Sequence, residues 1–182
     1  MKRILSLLRS IAVMGIAWAL VGCAIDIGGF SSLDASPTPK TLQAAEQARQ
    51  AYLSQVSAVL NRIPKGSLDA KAKTSAKQVF LKLKDLDSVT EMGVSYRDYP
   101  TYVRDARFAL NRFSSEFAEQ KDMILAFQLC LDPYVQAQSY FGEYIKMRKG
   151  TMGEGEYRFY LHDRWKTGHE SIRLFESRLP EL

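Results

Sequence analysis

The chain has 182 residues, 46% of them hydrophobic and 25% charged, with a formal charge of +5. That composition belongs to a globular chain and excludes a collagenous, low-complexity or disordered one. Three of the 25 basic residues and none of the 20 acidic ones fall in the first 22 positions. Residues 23–182 therefore set 22 basic against 20 acidic side chains, a charge of only +2. A nucleic-acid binder needs a concentrated basic face. The small clusters here (Lys71, Lys73, Lys77; Lys146, Arg148, Lys149) are read as solvated faces, and no nucleic-acid partner is expected.

Lys2, Arg3 and Arg9 precede an apolar run from Ile11 to Gly22. About a dozen apolar residues suit the hydrophobic region of a secretory signal and are too few to cross ~30 Å of hydrocarbon. The alternatives are an anchor helix from about Ile4 to Val21 and a cleaved signal without lipid. Leu20-Val21-Gly22-Cys23 resembles a bacterial lipobox. The resemblance implies cleavage before Cys23, a diacylglycerol on its sulfur and a palmitate-type acyl chain on the new amino terminus. One acyl chain binds a membrane only marginally, whereas the three implied here hold firmly. A membrane-anchored lipoprotein outside the cytoplasm is expected; Ala24, where an aspartate is absent, implies outer-membrane sorting in a Gram-negative host. Three segments follow: residues 1–22 as signal, 23–39 as lipidated cysteine and flexible Gly/Ser/Pro tether, and 40–182 as a helical domain.

About 140 residues suffice for one domain with its own core. Helix one is expected from Pro39 to Arg62, with Leu42, Ala45, Tyr52, Val56, Val59 and Ile63 inward and Pro64-Lys65-Gly66 as the stop. Helix two runs from Leu68 to Met92 behind Ser67 as N-cap, with Ala72, Ala76, Val79, Phe80, Leu83, Leu86 and Val89 inward. Helix three runs from Pro100 to Glu119 on Tyr102, Val103, Ala106, Leu110, Phe113 and Phe117. Helix four runs from Asp122 to Arg148 on Met123, Phe127, Leu131, Tyr134, Phe141, Tyr144 and Ile145. Pro133 inside it removes a backbone donor and predicts a kink or a division. Lys149 to Gly155 is read as a loop. Helix five runs from Glu156 to Arg178, with Tyr157, Leu161, Trp165, Ile172, Phe175 and Leu179 inward. No segment alternates with the period of a strand. The fold class is all-α, an antiparallel up-and-down bundle of four to five helices.

Catalytic chemistry is hard to find. His162 and His169 are the only histidines, two helical turns or about 10 Å apart along one face. Neither a histidine pair at i,i+4 nor a Glu-x-x-His unit is present, so no metal site and no cofactor are expected. The glycines at 150, 153 and 155 lack the residues of a phosphate loop. Among the carboxylates Asp85, Asp87, Asp98, Asp105, Asp132 and Asp163, spacing selects no pair with shifted acidity. Asp105 and Asp132 lie near the apolar stripes, are expected to be partly buried and are read as caps or arginine partners, with a functional carboxylate as the alternative. With Cys23 consumed by lipid, Cys130 in Phe127–Leu131 is a buried structural thiol without a disulfide partner.

The most unusual stretch runs from Met92 to Ala106. Gly93 can end helix two with a positive φ, and the tyrosines can staple the corner through hydroxyls bonded to backbone. Alternatively Tyr96, Arg97, Tyr99, Tyr102 and Arg104 form an exposed patch of the residue types enriched in binding hot spots. The segment from Leu86 to Ala106 resembles one found in uncharacterised bacterial, largely cyanobacterial, helical proteins. These share Gly-Val-Ser/Asn-Tyr-x-x-Tyr and a closing helix with Trp and His four residues apart, as Trp165 and His169 are here. The resemblance spans about residues 76–179 and implies a helical fold but no function. The lipobox together with Val79–Asp87 is similar, more weakly, to the lipid-anchored extrinsic subunits of photosystem II. The expected function is a non-catalytic interaction or accessory module with a protein partner. The alternatives are a small apolar ligand carrier, a photosystem II subunit-like protein and, last, an enzyme.

Overall fold

A computed structural model describes residues 39–64, 66, 68–146 and 154–180. The signal, Cys23, the tether, Ser67 and most of the 149–155 loop lie outside these residues. The expected core positions lie inside them, except that the side chains of Tyr144 and Ile145 are outside what is described.

Five helices form among the described residues: α1 (Pro39–Leu60), α2 (Ala70–Met92), α3 (Tyr99–Glu116), α4 (Lys121–Lys146) and α5 (Glu154–Arg178). They pack on one another as an all-α bundle, and no strand occurs among the described residues. None is long and apolar enough to cross a membrane. The cap of α2 is Asp69 rather than Ser67; its carboxylate accepts from the Ala72 amide at 2.7 Å, satisfying one of the free amides of the first turn. Gly93 ends α2 with φ +87°, a conformation costly for a side-chain-bearing residue.

The register follows from side-chain pairs. Phe80 meets Phe175 and Asp87 meets His169, so α2 runs antiparallel to α5. Phe113 meets Phe127 while Tyr99 reaches Tyr134, so α3 runs antiparallel to α4. Helices α4 and α5 are antiparallel neighbours at the centre, through Phe127–Phe175 and Phe141–Trp165. Between described residues α1 packs on α4 and α5 rather than on α2, its neighbour in sequence. Short connections alone do not reveal that departure.

An aromatic column runs through the core. Phe80, Phe175 and Phe127 stack at centroid distances of 5.1 and 4.9 Å, and Phe113 meets Phe127 edge-on at 5.6 Å. Each such buried side chain contributes about 1.5–3 kcal/mol of transfer free energy. Leu42, expected inward, is exposed; Ala126, Leu129, Cys130 and Ala137 are core residues in addition to those expected on α4.

Helix α4 is not divided at Pro133. Proline denies the Leu129 carbonyl its usual amide partner. The Tyr52 hydroxyl of α1 donates to that carbonyl at 2.7 Å. Burial holds the Tyr52 hydroxyl well above its ordinary pKa, so it remains a donor. Cys130, one turn before Tyr134, is fully buried; its thiol points to the Ser171 carbonyl and burial raises its pKa.

Candidate functional site

Asp87 and Glu91 are four residues apart and share one face of the last turns of α2. Asp87 interrupts the apolar stripe between Leu83, Leu86 and Thr90, and is largely buried. A buried carboxylate needs partners. Across the helix interface, the Tyr134 hydroxyl donates to its Oδ1 at 2.6 Å. The His169 Nδ1 of α5 lies 2.9 Å from its Oδ2. The same Nδ1 lies 3.1 Å from Oε1 of Glu91. Two carboxylates thus converge on one imidazole nitrogen, with Asp87 inside, Glu91 largely in solvent and His169 between.

Tyr134 is held in place by an unusual contact. A Cβ on Gly168 would lie 2.3 Å from Tyr134 Cε2. The ring therefore rests against bare backbone of α5. A glycine inside a helix costs about 1 kcal/mol relative to alanine; the close approach of this ring explains why one is here.

A second chain of polar contacts joins the first at Tyr134. The Trp165 indole N–H donates to the Tyr99 hydroxyl at 3.0 Å, and that hydroxyl donates to the Tyr134 carbonyl at 2.8 Å. Burial raises the Tyr99 pKa, with the Trp165 hydrogen bond opposing. Tyr99 is fully buried. It is therefore a corner staple, not a member of an exposed patch. Its ring packs edge-on against Phe141 and Trp165 at 5.9 and 5.8 Å, and Tyr96 covers Phe141 at 5.5 Å. The backbone-bonded hydroxyl expected of the corner is found at Tyr99.

The other members of the expected patch separate by exposure. Arg97 and Arg104 lie in solvent, Tyr96 is at the surface with one face on Phe141, and Tyr102 is half-buried. Arg104 pairs weakly with Asp105 at 3.5 Å. Among the described residues six large hydrophobic side chains are exposed; four of them (Leu81, Met92, Tyr96 and Phe108) belong to α2, α3 or their corner.

Asp105 and Asp132 are surface residues. Partial desolvation raises the Asp132 carboxyl, with Arg107 opposing. Among the described residues the buried acids are instead Asp87 and Asp163. Asp163 binds Arg49 of α1 at 2.7 Å, an ion pair the spacing pattern does not disclose. Its signal is the charge at position 49 within the inward stripe Ala45, Tyr52 and Val56. The signal for the α2 cluster is the same kind of break, Asp87 in a stripe and Gly168 in a helix. His162 is exposed against Trp165, away from this cluster.

A shallow groove of about 500 Å³ runs between α1 and α5, lined by Gln50, Leu53, Ser54, Ser57, Arg173 and Leu174 among others. No protein-family model, curated protein or solved structure matches the chain.

Proposed function

We propose that this protein is a lipid-anchored, non-catalytic accessory module that docks on a protein partner at the outer side of a membrane. The α2–α3 hairpin is the docking face. The observation that carries the reading is the number of exposed apolar side chains on this hairpin, Leu81, Met92, Tyr96 and Phe108, together with the solvated Arg97 and Arg104 of the same segment. Aromatic and arginine side chains are the residue types that dominate interface energetics. The buried staple beneath them, Tyr99 with Trp165 and Phe141, holds the corner in a fixed shape, which lowers the entropy lost on docking. A core packed by aliphatic side chains around the stacked Phe80, Phe175 and Phe127 rings supports a module rather than an apolar ligand carrier. Cys23 is the proposed lipid attachment point, and a tether of some 15 residues lets the domain reach a membrane-embedded partner.

The test is crosslinking in cells followed by capture from solubilised membranes. Wild-type chain is expected to bring down one stoichiometric complex, with an acyl mass on its Cys23 peptide. Arg97→Ala and Phe108→Ala are expected to lose the complex with an unchanged circular dichroism spectrum. Equal capture by wild type and both variants refutes the docking face; an unmodified Cys23 refutes the anchor.

A further inference from the structure

We propose that Asp87, Glu91 and His169 form a binding site for a divalent first-row metal ion that clips the end of α2 to α5. One ligand atom from each lies within 4.8 Å of the other two. The two nitrogen–oxygen separations, 2.9 and 3.1 Å, match the edge between adjacent donors on an octahedral ion, about 3.0 Å for bonds of about 2.1 Å.

Charge makes the same case. Asp87 and Glu91 bring two negative charges to one imidazole nitrogen. An imidazole has at most one proton to offer at Nδ1, and the two carboxylates must share it. With the proton on Nε2 instead, a lone pair faces two anions. Among the described ion pairs, neither Asp87 nor Glu91 has an Arg or Lys partner. A divalent cation in place of the shared proton satisfies all three donors and neutralises both carboxylates.

The surroundings are those of a metal ligand set. Tyr134 occupies Oδ1 of Asp87 and so aims Oδ2 at His169, the role that outer hydrogen bonds play around bound metals. Tyr134 is itself fixed by Gly168. Glu91, largely exposed, leaves an entry path and room for water at the remaining positions. One imidazole with two carboxylates is a mixed nitrogen–oxygen set, suited to Mn²⁺, Co²⁺ or Zn²⁺ rather than to Ca²⁺ or Cu⁺. Since the site immediately precedes Gly93, a bound ion would stiffen the corner. This inference does not depend on the docking reading.

The experiment uses the full chain in detergent, purified without a histidine tag and freed of metal with chelator. Co²⁺ is titrated by visible absorption, and Mn²⁺ and Zn²⁺ by calorimetry. One ion per chain and a raised melting temperature are expected. Glu91→Gln and His169→Ala each weaken binding by at least tenfold, and Tyr134→Phe by about tenfold. His162→Ala binds as wild type. Glu91 is a surface residue, so its variant keeps the test decisive even if His169→Ala fails to fold. Absence of binding of all three ions at millimolar concentration overturns the proposal. So does wild-type affinity in Glu91→Gln.

Discussion

Helix α5 shares a joint built on a buried carboxylate with a neighbouring helix on each of two sides, its own Asp163 toward α1 and Asp87 of α2 on the other, and the two differ in how charge is completed. On the α1 side, Arg49 faces Asp163, Glu46 and Glu170. Arg164 and Lys166 stand beside the same acids, so three permanent cations meet three anions. On the α2 side, among the described residues, Asp87 and Glu91 meet only His169 and the neutral Tyr134. A guanidinium is charged at every accessible pH and closes its site within the protein. An imidazole beside two carboxylates leaves its site short of positive charge. The first arrangement is an internal joint between helices. The second is a joint that an external cation can complete.

Removing Arg49 is the most severe way to break the comparison. Arg49→Met leaves Asp163 buried, with Arg164 at 3.8 Å as its remaining cation. Stranding a buried charge costs about 3–5 kcal/mol; the presence of Arg164 places the expected loss near the lower bound, about 3 kcal/mol. Replacing both partners by apolar residues, Arg49→Met with Asp163→Leu, is expected to recover most of it. Denaturant unfolding of the two variants measures the difference. Metal affinity at the α2 side stays unchanged in both, because no member of that cluster touches Arg49. An Arg49→Met variant as stable as wild type would mean that the ion pair carries no weight in the fold.

Gly168→Ala attacks the α2 joint through packing alone. The new methyl group cannot coexist with the Tyr134 ring at 2.3 Å, so ring or helix must shift. Overpacking of this kind costs about 1–3 kcal/mol, and alanine returns up to about 1 kcal/mol through helix propensity. With the full return of about 1 kcal/mol, the expected net loss is about 0–2 kcal/mol in thermal or denaturant unfolding. Displacement of Tyr134 also frees Oδ1 of Asp87, so metal affinity falls together with stability. A variant that is more stable than wild type would show that the ring yields without cost.

The contrast between the two joints explains what was legible in the chain. Helix existence and the inward faces could be read from apolar spacing, because burial imposes the 3.6-residue period directly. Val79, Leu83 and Leu86 needed no partner to be recognised. Asp87 and Arg49 sit on those same faces, but a charged residue in a stripe reveals only that a partner exists. The partner's position depends on which helices meet, and α1 docks on α4 and α5 rather than on α2. His169 therefore could not be assigned to Asp87 by spacing along one helix. The tyrosines of the corner are alike in sequence. Tyr99 points inward because it opens α3, whereas Tyr96, in the preceding turn, stays at the surface. Pro133 announced a break, and the hydroxyl that accommodates it comes from a residue 81 positions earlier.

That hydroxyl makes the mildest break, and it belongs to neither charged joint. Tyr52→Phe leaves the Leu129 carbonyl without its donor beside Pro133, at an expected cost of about 1 kcal/mol at neutral pH. Its pH dependence is more informative than its size. Burial is the main reason the Tyr52 pKa is raised in the folded chain, with Asp132 and the Cys130 thiol adding and Arg164 opposing. In the unfolded chain a tyrosine ionises near pH 10. Above that pH the unfolded state loses a proton that the folded state keeps. The stability tied to Tyr52 is thus fully present below about pH 10 and falls as pH rises further, by up to about 1.4 kcal/mol per pH unit. Tyr99 and Cys130, raised by burial as well, steepen the same alkaline limb. The Phe variant, already weaker at neutral pH, is therefore expected to approach and then match wild type as the pH passes well above 10, while the Arg49→Met deficit persists. Parallel unfolding curves for wild type and Tyr52→Phe between pH 8 and 11 would show that the phenol ionises as freely in the fold as in water.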